Sequence, residues 1–268
     1  MHPKTKNINN IFLSIHMKIA HISDIHFNVG NDFNEKIFSI AVKQLNQIHA
    51  DIVFISGDLT TSGLLPEYDF AKGKLQEIEG KIVTVPGNHD ERNLGWKLFP
   101  DFFGETDFIK TFNDINLIGL ASSEPDKDDG RLGRGRHRLI EKAIKRNRKK
   151  NVIGFHHHLI PVPNSGRETN IIEDAGETLD IILRKEIPLV LMGHRHVPWS
   201  VKIHKTLLIN AGTFSCIRTR ANFGNTFNII DIDESEIHLT VMDIVKDKKR
   251  KMVSFNIDNG ACINKYYR

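Results

Sequence analysis

Cysteine is scarce in this chain of 268 residues: only Cys216 and Cys262 occur. Two thiols cannot build a disulfide framework, and their neighbours do not make a zinc knuckle. The expectation is a reducing, cytoplasmic setting. Long apolar runs are missing as well, and none approaches the ~20 residues a spanning helix needs. Residues 1–16 hold isoleucines and a leucine broken by asparagines. They lack the continuous apolar stretch and small-residue cleavage site of a signal peptide, and are expected to form a disordered extension. There is no internal repeat and no low-complexity tract. With 40% hydrophobic and 26% charged residues, the remainder reads as an ordinary globular chain. One domain is expected over 17–245, followed by a basic tail over 246–268 with a possible edge strand from the alternation of Val253, Phe255 and Ile257.

Histidine, by contrast, is plentiful at fourteen residues, and most fall where predicted strands end. Residues 17–23 (MKIAHIS) form a strand ending in Asp24-Ile25-His26. Alternation there puts Asp24 and His26 on one side. A helix over 33–48 leads to a buried strand at 51–56 that ends in Gly57-Asp58. A second helix over 66–78 leads to the β-branched run 81–85. That run stops at Pro86-Gly87, where the chain must turn and present Asn88, His89 and Asp90. Strand, helix, strand, helix, strand is the order of a parallel α/β layer, whose ligands bind at the carboxyl ends of the strands. Further on, 107–112 and 115–120 flank Asn113-Asp114 as a hairpin. The strand 151–155 ends in His156-His157-His158, and 188–192 ends in Gly193-His194-Arg195-His196. Four extended segments, 197–203, 206–210, 226–231 and 236–245, read as an antiparallel meander. His21 reads as a packed histidine.

Segment 131–150 carries ten Lys/Arg against Glu141, a net +9, although the whole chain is only +4. It reads either as a solvated helix face or as a basic surface for nucleic acid or membrane headgroups.

The strand-end residues Asp24, His26, Asp58, Asn88, His89, His156, His194 and His196 are carboxylates, imidazoles and an amide, with no thiolate. Such N/O donors suit Mn, Fe, Zn, Co or Ni. They are too many for one tetrahedral ion, and the economical arrangement is two divalent ions sharing Asp58, a device for displacement at phosphorus. Asp-X-His, Gly-Asp, Gly-Asn-His-Asp, a lone strand-end histidine and Gly-His-X-His, in that order, resemble the calcineurin-like metallophosphoesterases, most closely their cyclic-nucleotide and glycerophosphodiester branch.

The resemblance implies a four-layer α/β/β/α sandwich of two mixed sheets. It implies one ion on Asp24, His26, Asp58 and His196, and a second on Asp58, Asn88, His156 and His194. His157 stays open as the alternative to His156; otherwise His157 and His158 are loop residues near the substrate. His89 would contact the phosphoryl group and protonate the leaving oxygen, with Asp90 orienting His89 through its second ring nitrogen. The implied chemistry is hydrolysis of a small phosphoester by hydroxide activated between two ions (Mn, Fe or Zn), with a cyclic nucleotide the leading substrate. A nucleotide-sugar lipid precursor or nucleic acid, held by 131–150, is the alternative, and a silent binding scaffold a further one. Arg218 and Arg220, after the strand 206–210, and Arg167 are candidate contacts for a phosphate oxygen or nucleobase.

Overall fold

The strand runs IVFI and LVLM have no polar face, and all eight of their residues are buried. A strand buried on both sides needs a layer above and a layer below, and that requirement organises the molecule. A computed structural model describes residues 16–28, 30, 32–146, 150–166 and 170–264. The extension expected over 1–16, apart from His16, and Arg167 lie outside the described residues.

The chain runs β1 (Met17–Ile22), α1 (Glu35–Asn46), β2 (Ile52–Ile55), α2 (Leu65–Leu75) and β3 (Ile82–Thr84), as the periodicity predicts. Then come α3 (Gly95–Phe103), the hairpin β4 (Phe108–Phe112) and β5 (Ile115–Gly119), α4 (Gly133–Arg146), β6 (Lys150–Gly154), α5 (Ala175–Arg184) and β7 (Leu189–Met192). The chain closes with β8 (Trp199–Ile203), β9 (Thr206–Asn210), β10 (Thr226–Ile232), β11 (Glu236–Asp243), β12 (Lys248–Asn256) and β13 (Cys262–Asn264). One sheet has the order β13-β12-β11-β10-β1-β2-β3, the other β4-β5-β6-β7-β9-β8, and both are mixed. Ile19, Phe54, Leu117, Leu191, Ile209 and Phe255 belong to one core between the sheets. Phe38, Val42, Leu45 and Tyr68 seal α1 and α2 against the first sheet. Ile140, Ala143 and Ile182 seal α4 and α5 against the second. The result is the four-layer α/β/β/α sandwich. Among the described residues no helix is long and apolar enough to cross a membrane.

Two expectations are corrected. The segments after 197 are not one meander. β8 and β9 form a hairpin in the second sheet, with β9 parallel to β7, whereas β10 and β11 pair in the first, with β10 antiparallel to β1. Residues 211–225 separate β9 from β10, too long a connection for a tight hairpin, and they carry the chain from one sheet to the other. Beyond 245 the chain supplies β12, hydrogen-bonded along β11, and the edge strand is β13 outside it. Val253 and Phe255 enter the inter-sheet core, while Lys248 to Lys251 stay exposed.

Candidate metal centre

β1, β2, β3, β6 and β7 all end at the same rim, and their following residues turn inward there. Five of the seven expected ligands, Asp24, His26, Asp58, His194 and His196, have φ between 52° and 71°. Non-glycine residues rarely adopt this left-handed conformation, at a cost of about 1–3 kcal/mol each, and it gathers at functional sites. The loops also approach closely. A Cβ on Gly87 would lie 2.2 Å from Asp58 Oδ1, and one on Gly193 would lie 2.0 Å from Ser23 Oγ. Sequence reasoning assigned Gly87 to a tight bend; its place against Asp58 shows that the need is for close approach.

The expected ligands fall into two groups that meet at Asp58. In the first, His26 Nε2 lies 3.3 Å from His196 Nε2 and 3.6 Å from Asp58 Oδ2, and His196 Nε2 lies 3.1 Å from Asp24 Oδ1. In the second, His156 Nε2 lies 3.4 Å from Asp58 Oδ1, 3.1 Å from Asn88 Oδ1 and 3.2 Å from His194 Nδ1. Asn88 Oδ1 and His194 Nδ1 are 3.0 Å apart. Ligands about 2.0–2.1 Å from one tetrahedral ion sit roughly 3.3–3.4 Å from each other, and these separations match. Of the His156–His157 pair, it is His156 that meets Asn88, Asp58 and His194.

The outer hydrogen bonds decide where the lone pairs point. His196 Nδ1 donates to the Arg218 carbonyl at 2.5 Å, and His156 Nδ1 to the Ser56 carbonyl at 2.7 Å. In neutral imidazoles that leaves each Nε2 bare. His196 Nε2 therefore faces Asp24 Oδ1, a buried oxygen with no hydrogen-bond donor among the described residues. His156 Nε2 faces two more acceptor oxygens. Converging lone pairs of this kind fit cations. With no ion bound, positive charge on the rings can take its place: burial pushes Asp24 up, but His196 and His156 outweigh it and hold the carboxyl at about 2. Burial also raises Asp58, and His156 and His89 bring it well below the usual carboxylate range. Burial keeps His26 and His194 well below the ordinary histidine value. Burial lowers His156 too, but Asp58 overcomes this and draws it up to about 9.

Several expected residues sit elsewhere. Asp90 does not touch the second nitrogen of His89, which donates to the Thr61 carbonyl at 2.7 Å. Asp90 instead accepts from the amides of Leu59, Thr60 and Gly87 and from the Thr60 hydroxyl, tying the Asp58 loop to the Asn88 loop. Four donors nearby left the carboxylate no reason to reach sideways. His157 is fully buried, with Nδ1 on Ser122 Oγ at 2.9 Å and Nε2 on the Asp128 carbonyl at 3.1 Å, so it packs rather than meeting substrate. His158 is buried beside His194.

Arg218 and Arg220 do reach the cleft over the centre, about 370 Å³ in volume, together with His89. Sequence reasoning missed Arg92 and Asp128, which pair there at 2.7 Å, and Arg195, the X of Gly-His-X-His, which donates to Ser165 O at 2.7 Å. It also missed Cys216, whose sulfur lies within 4.8 Å of the ring nitrogens of His26 and His196. No residue of 131–144 lines this cleft. In that stretch Arg131, Arg134, Arg138 and Lys142 are exposed and Arg136 pairs with Asp107 at 2.7 Å; the side chains of 145–149 lie outside the described residues.

A family model described as calcineurin-like phosphoesterase matches residues 17–198, well over half of the chain. The chain belongs to the calcineurin-like phosphoesterase family. It is therefore a hydrolase of ester bonds. Among curated relatives, a probable cyclic nucleotide phosphodiesterase of Coxiella burnetii is 25% identical over 73% of this chain and 82% of its own. A probable glycerophosphodiester phosphodiesterase of Arcobacter nitrofigilis is 26% identical over 74% and 78%. A purple acid phosphatase from yellow lupin seeds superposes with a TM-score of 0.73 at 16% identity, over 95% of this chain. This chain spans about half (55%) of that structure, and the likeness is one of fold.

Proposed function

We propose that this phosphoesterase is a phosphodiesterase acting on a small phosphodiester, a cyclic nucleotide first, with two divalent ions (Mn, Fe or Zn) in its cleft. The observation that carries the reading is Asp58, whose Oδ2 faces His26 while Oδ1 faces His156. One carboxylate with its oxygens divided between two donor groups is suited to bridging. Asp24, His26 and His196 would complete one set, and Asn88, His156 and His194 the other. Ions held there would supply Lewis-acid polarisation and neutralise charge building at phosphorus.

The protein's own groups then bind and orient. Thr61 fixes the Nδ1 proton of His89, which leaves Nε2 for the cleft that His89 lines. A proton on that nitrogen would pass to the leaving oxygen. Arg218 and Arg220 in the same cleft suit the non-bridging phosphate oxygens. Asp90 serves by holding the two ligand loops together. A nucleic acid or lipid-linked substrate on 131–150 is less favoured, since the cleft is lined by other residues. The relatives named for cyclic nucleotides and glycerophosphodiesters support the substrate class.

The test is a panel of cyclic nucleotides, glycerophosphodiesters and phosphomonoesters assayed with Mn, Fe and Zn. Hydrolysis of a diester is expected, with a loss of more than about 1,000-fold in Asp58→Asn, beyond the ~100-fold that a supporting residue costs. An inert loaded enzyme, or an active Asp58→Asn, would refute the reading.

A further inference from the structure

A second cavity, also of about 370 Å³, lies on the other side of the 217–224 loop and contains none of the metal-centre residues. That volume falls in the ~300–1,000 Å³ range of small-molecule sites. Its chemistry is divided. One wall is cationic: Lys246 lies in the turn before β12, and Lys248 and Arg250 lie on the strand itself. Lys248 stands opposite Asp243 and Arg250 opposite Val241 on β11, so both project from one face of the sheet. Among the described residues Asp243 is the one carboxylate in the lining, and Lys246 already meets it at 3.1 Å.

The floor and far wall are apolar. Val241 and Met252 are buried members of the inter-sheet core, and Pro198 and Phe223 close the other side. Met252 is the extra residue of a bulge, since Leu239 faces Val253 while Thr240 faces Lys251. Bulges re-aim side chains, and here Met252 lines the cavity. Thr226, 2% exposed, also lines it. The loop that supplies Phe223 is held in a sparsely populated form, with Ala221 and Asn222 both left-handed (φ 52° and 59°). The same loop sends Arg218 and Arg220 into the metal cleft, so the two cavities share a wall.

We propose that this cavity binds a nucleoside monophosphate, its phosphate on Lys248 and Arg250 and its base against Phe223 and the apolar floor, at a site separate from the metal centre. Cations at one end suit the dianion. Phe223 and the floor of Val241 and Met252 offer a flat ring both stacking and apolar contact. The assignment does not depend on the reaction proposed for the cleft.

Binding can be read through Trp199, which belongs to the same small apolar cluster as Phe223. Trp96→Phe removes the only other tryptophan. The full chain, stripped of metal by chelation, is titrated with AMP, adenosine and inorganic phosphate. AMP is expected to change Trp199 fluorescence saturably, with adenosine and phosphate each at least about tenfold weaker because each keeps only half of the contacts. Lys248→Glu with Arg250→Glu should weaken AMP at least about tenfold, with the melting temperature checking that the exposed end of β12 still folds. Should that pair fail to fold, Phe223→Ala decides, with an expected loss of several-fold. Arg218→Ala with Arg220→Ala should leave AMP bound. The proposal falls if wild-type protein ignores millimolar AMP. It falls if phosphate alone binds as well as AMP, or if the Arg218/Arg220 pair abolishes binding and the Lys248/Arg250 pair does not.

Discussion

The two ligand groups share Asp58 yet are balanced by different charges in the metal-free protein. In the second group a proton serves: Asp58 draws His156 up to about 9, so below that pH a proton occupies the space where its lone pair would otherwise meet acceptor oxygens. In the first group the balancing cation is a side chain. Arg218 Nη2 lies 3.3 Å from His26 Nδ1, and the same guanidinium lies 3.4 Å from Asp32. A guanidinium donating to Nδ1 leaves the ring proton on Nε2, the nitrogen that faces Asp58. An ion entering the first group must therefore displace Arg218 from His26, whereas an ion entering the second need only displace a proton. Two sites that look equivalent in ligand count are thus expected to load by different rules, one titrating with pH and the other not.

The largest effect that could break this contrast is removal of His156. His156→Ala should weaken one of the two ions by more than about 100-fold, beyond what loss of a supporting residue costs, and should leave the other in place. In wild-type protein, uptake at the second group should release a proton below pH 9, so its affinity should rise as pH approaches 9 and then level off. Metal analysis with proton-release calorimetry reads both. Equal loss of both ions in His156→Ala, or wild-type uptake without proton release, would end the distinction. A smaller effect sharpens the other side. Arg218→Ala should tighten the first ion by about tenfold, one nearby charge at a partly buried position, while phosphodiester KM should rise if Arg218 makes the phosphate contact proposed above. Unchanged metal affinity would mean that Arg218 does not guard His26.

How much of this was legible beforehand depends on the kind of interaction. Residues 17–22, 52–55 and 189–192 announce buried strands through composition, and Asp24, Asp58 and His194 follow at their ends, so strand placement and the convergence of these side chains could be read together. The parallel α/β order followed from the same pattern of strands and helices, whereas the four-layer sandwich came from the family resemblance. What could not be read were contacts set by folding distance. Asp90 is adjacent to His89 in sequence but is drawn to the amides of Leu59, Thr60 and Gly87. His157 neighbours His156, yet in the bend after β6 it points elsewhere, toward Ser122 and Asp128. Cys216 lies 190 residues beyond His26 and carries no local signal of meeting it. The segments after 197 misled for a related reason: each is a good strand, and only the length of 211–225 hints that the chain changes sheets.

The smallest effect concerns what lies behind the second group. His156 rests on the Ser56 carbonyl, and the Ser56 hydroxyl meets His21 Nε2 at 2.9 Å. His21 is fully buried, and burial pushes its pKa down to about 3, against the weaker pull of Asp24. The unfolded chain binds a proton at His21 near pH 6.5 and the folded chain does not, so its contribution to stability is complete above 6.5. It is lost as pH falls from there toward 3. At pH 6 the loss attributable to this one group is about 1 kcal/mol. His21→Gln keeps a side chain able to reach Ser56 but cannot titrate. Its stability, measured by urea unfolding at pH 8 and pH 6, should therefore fall by about 1 kcal/mol less than that of the wild type over the same interval. Parallel losses in the two proteins would show that His21 carries its proton in the fold, and that the support behind His156 is charged as well.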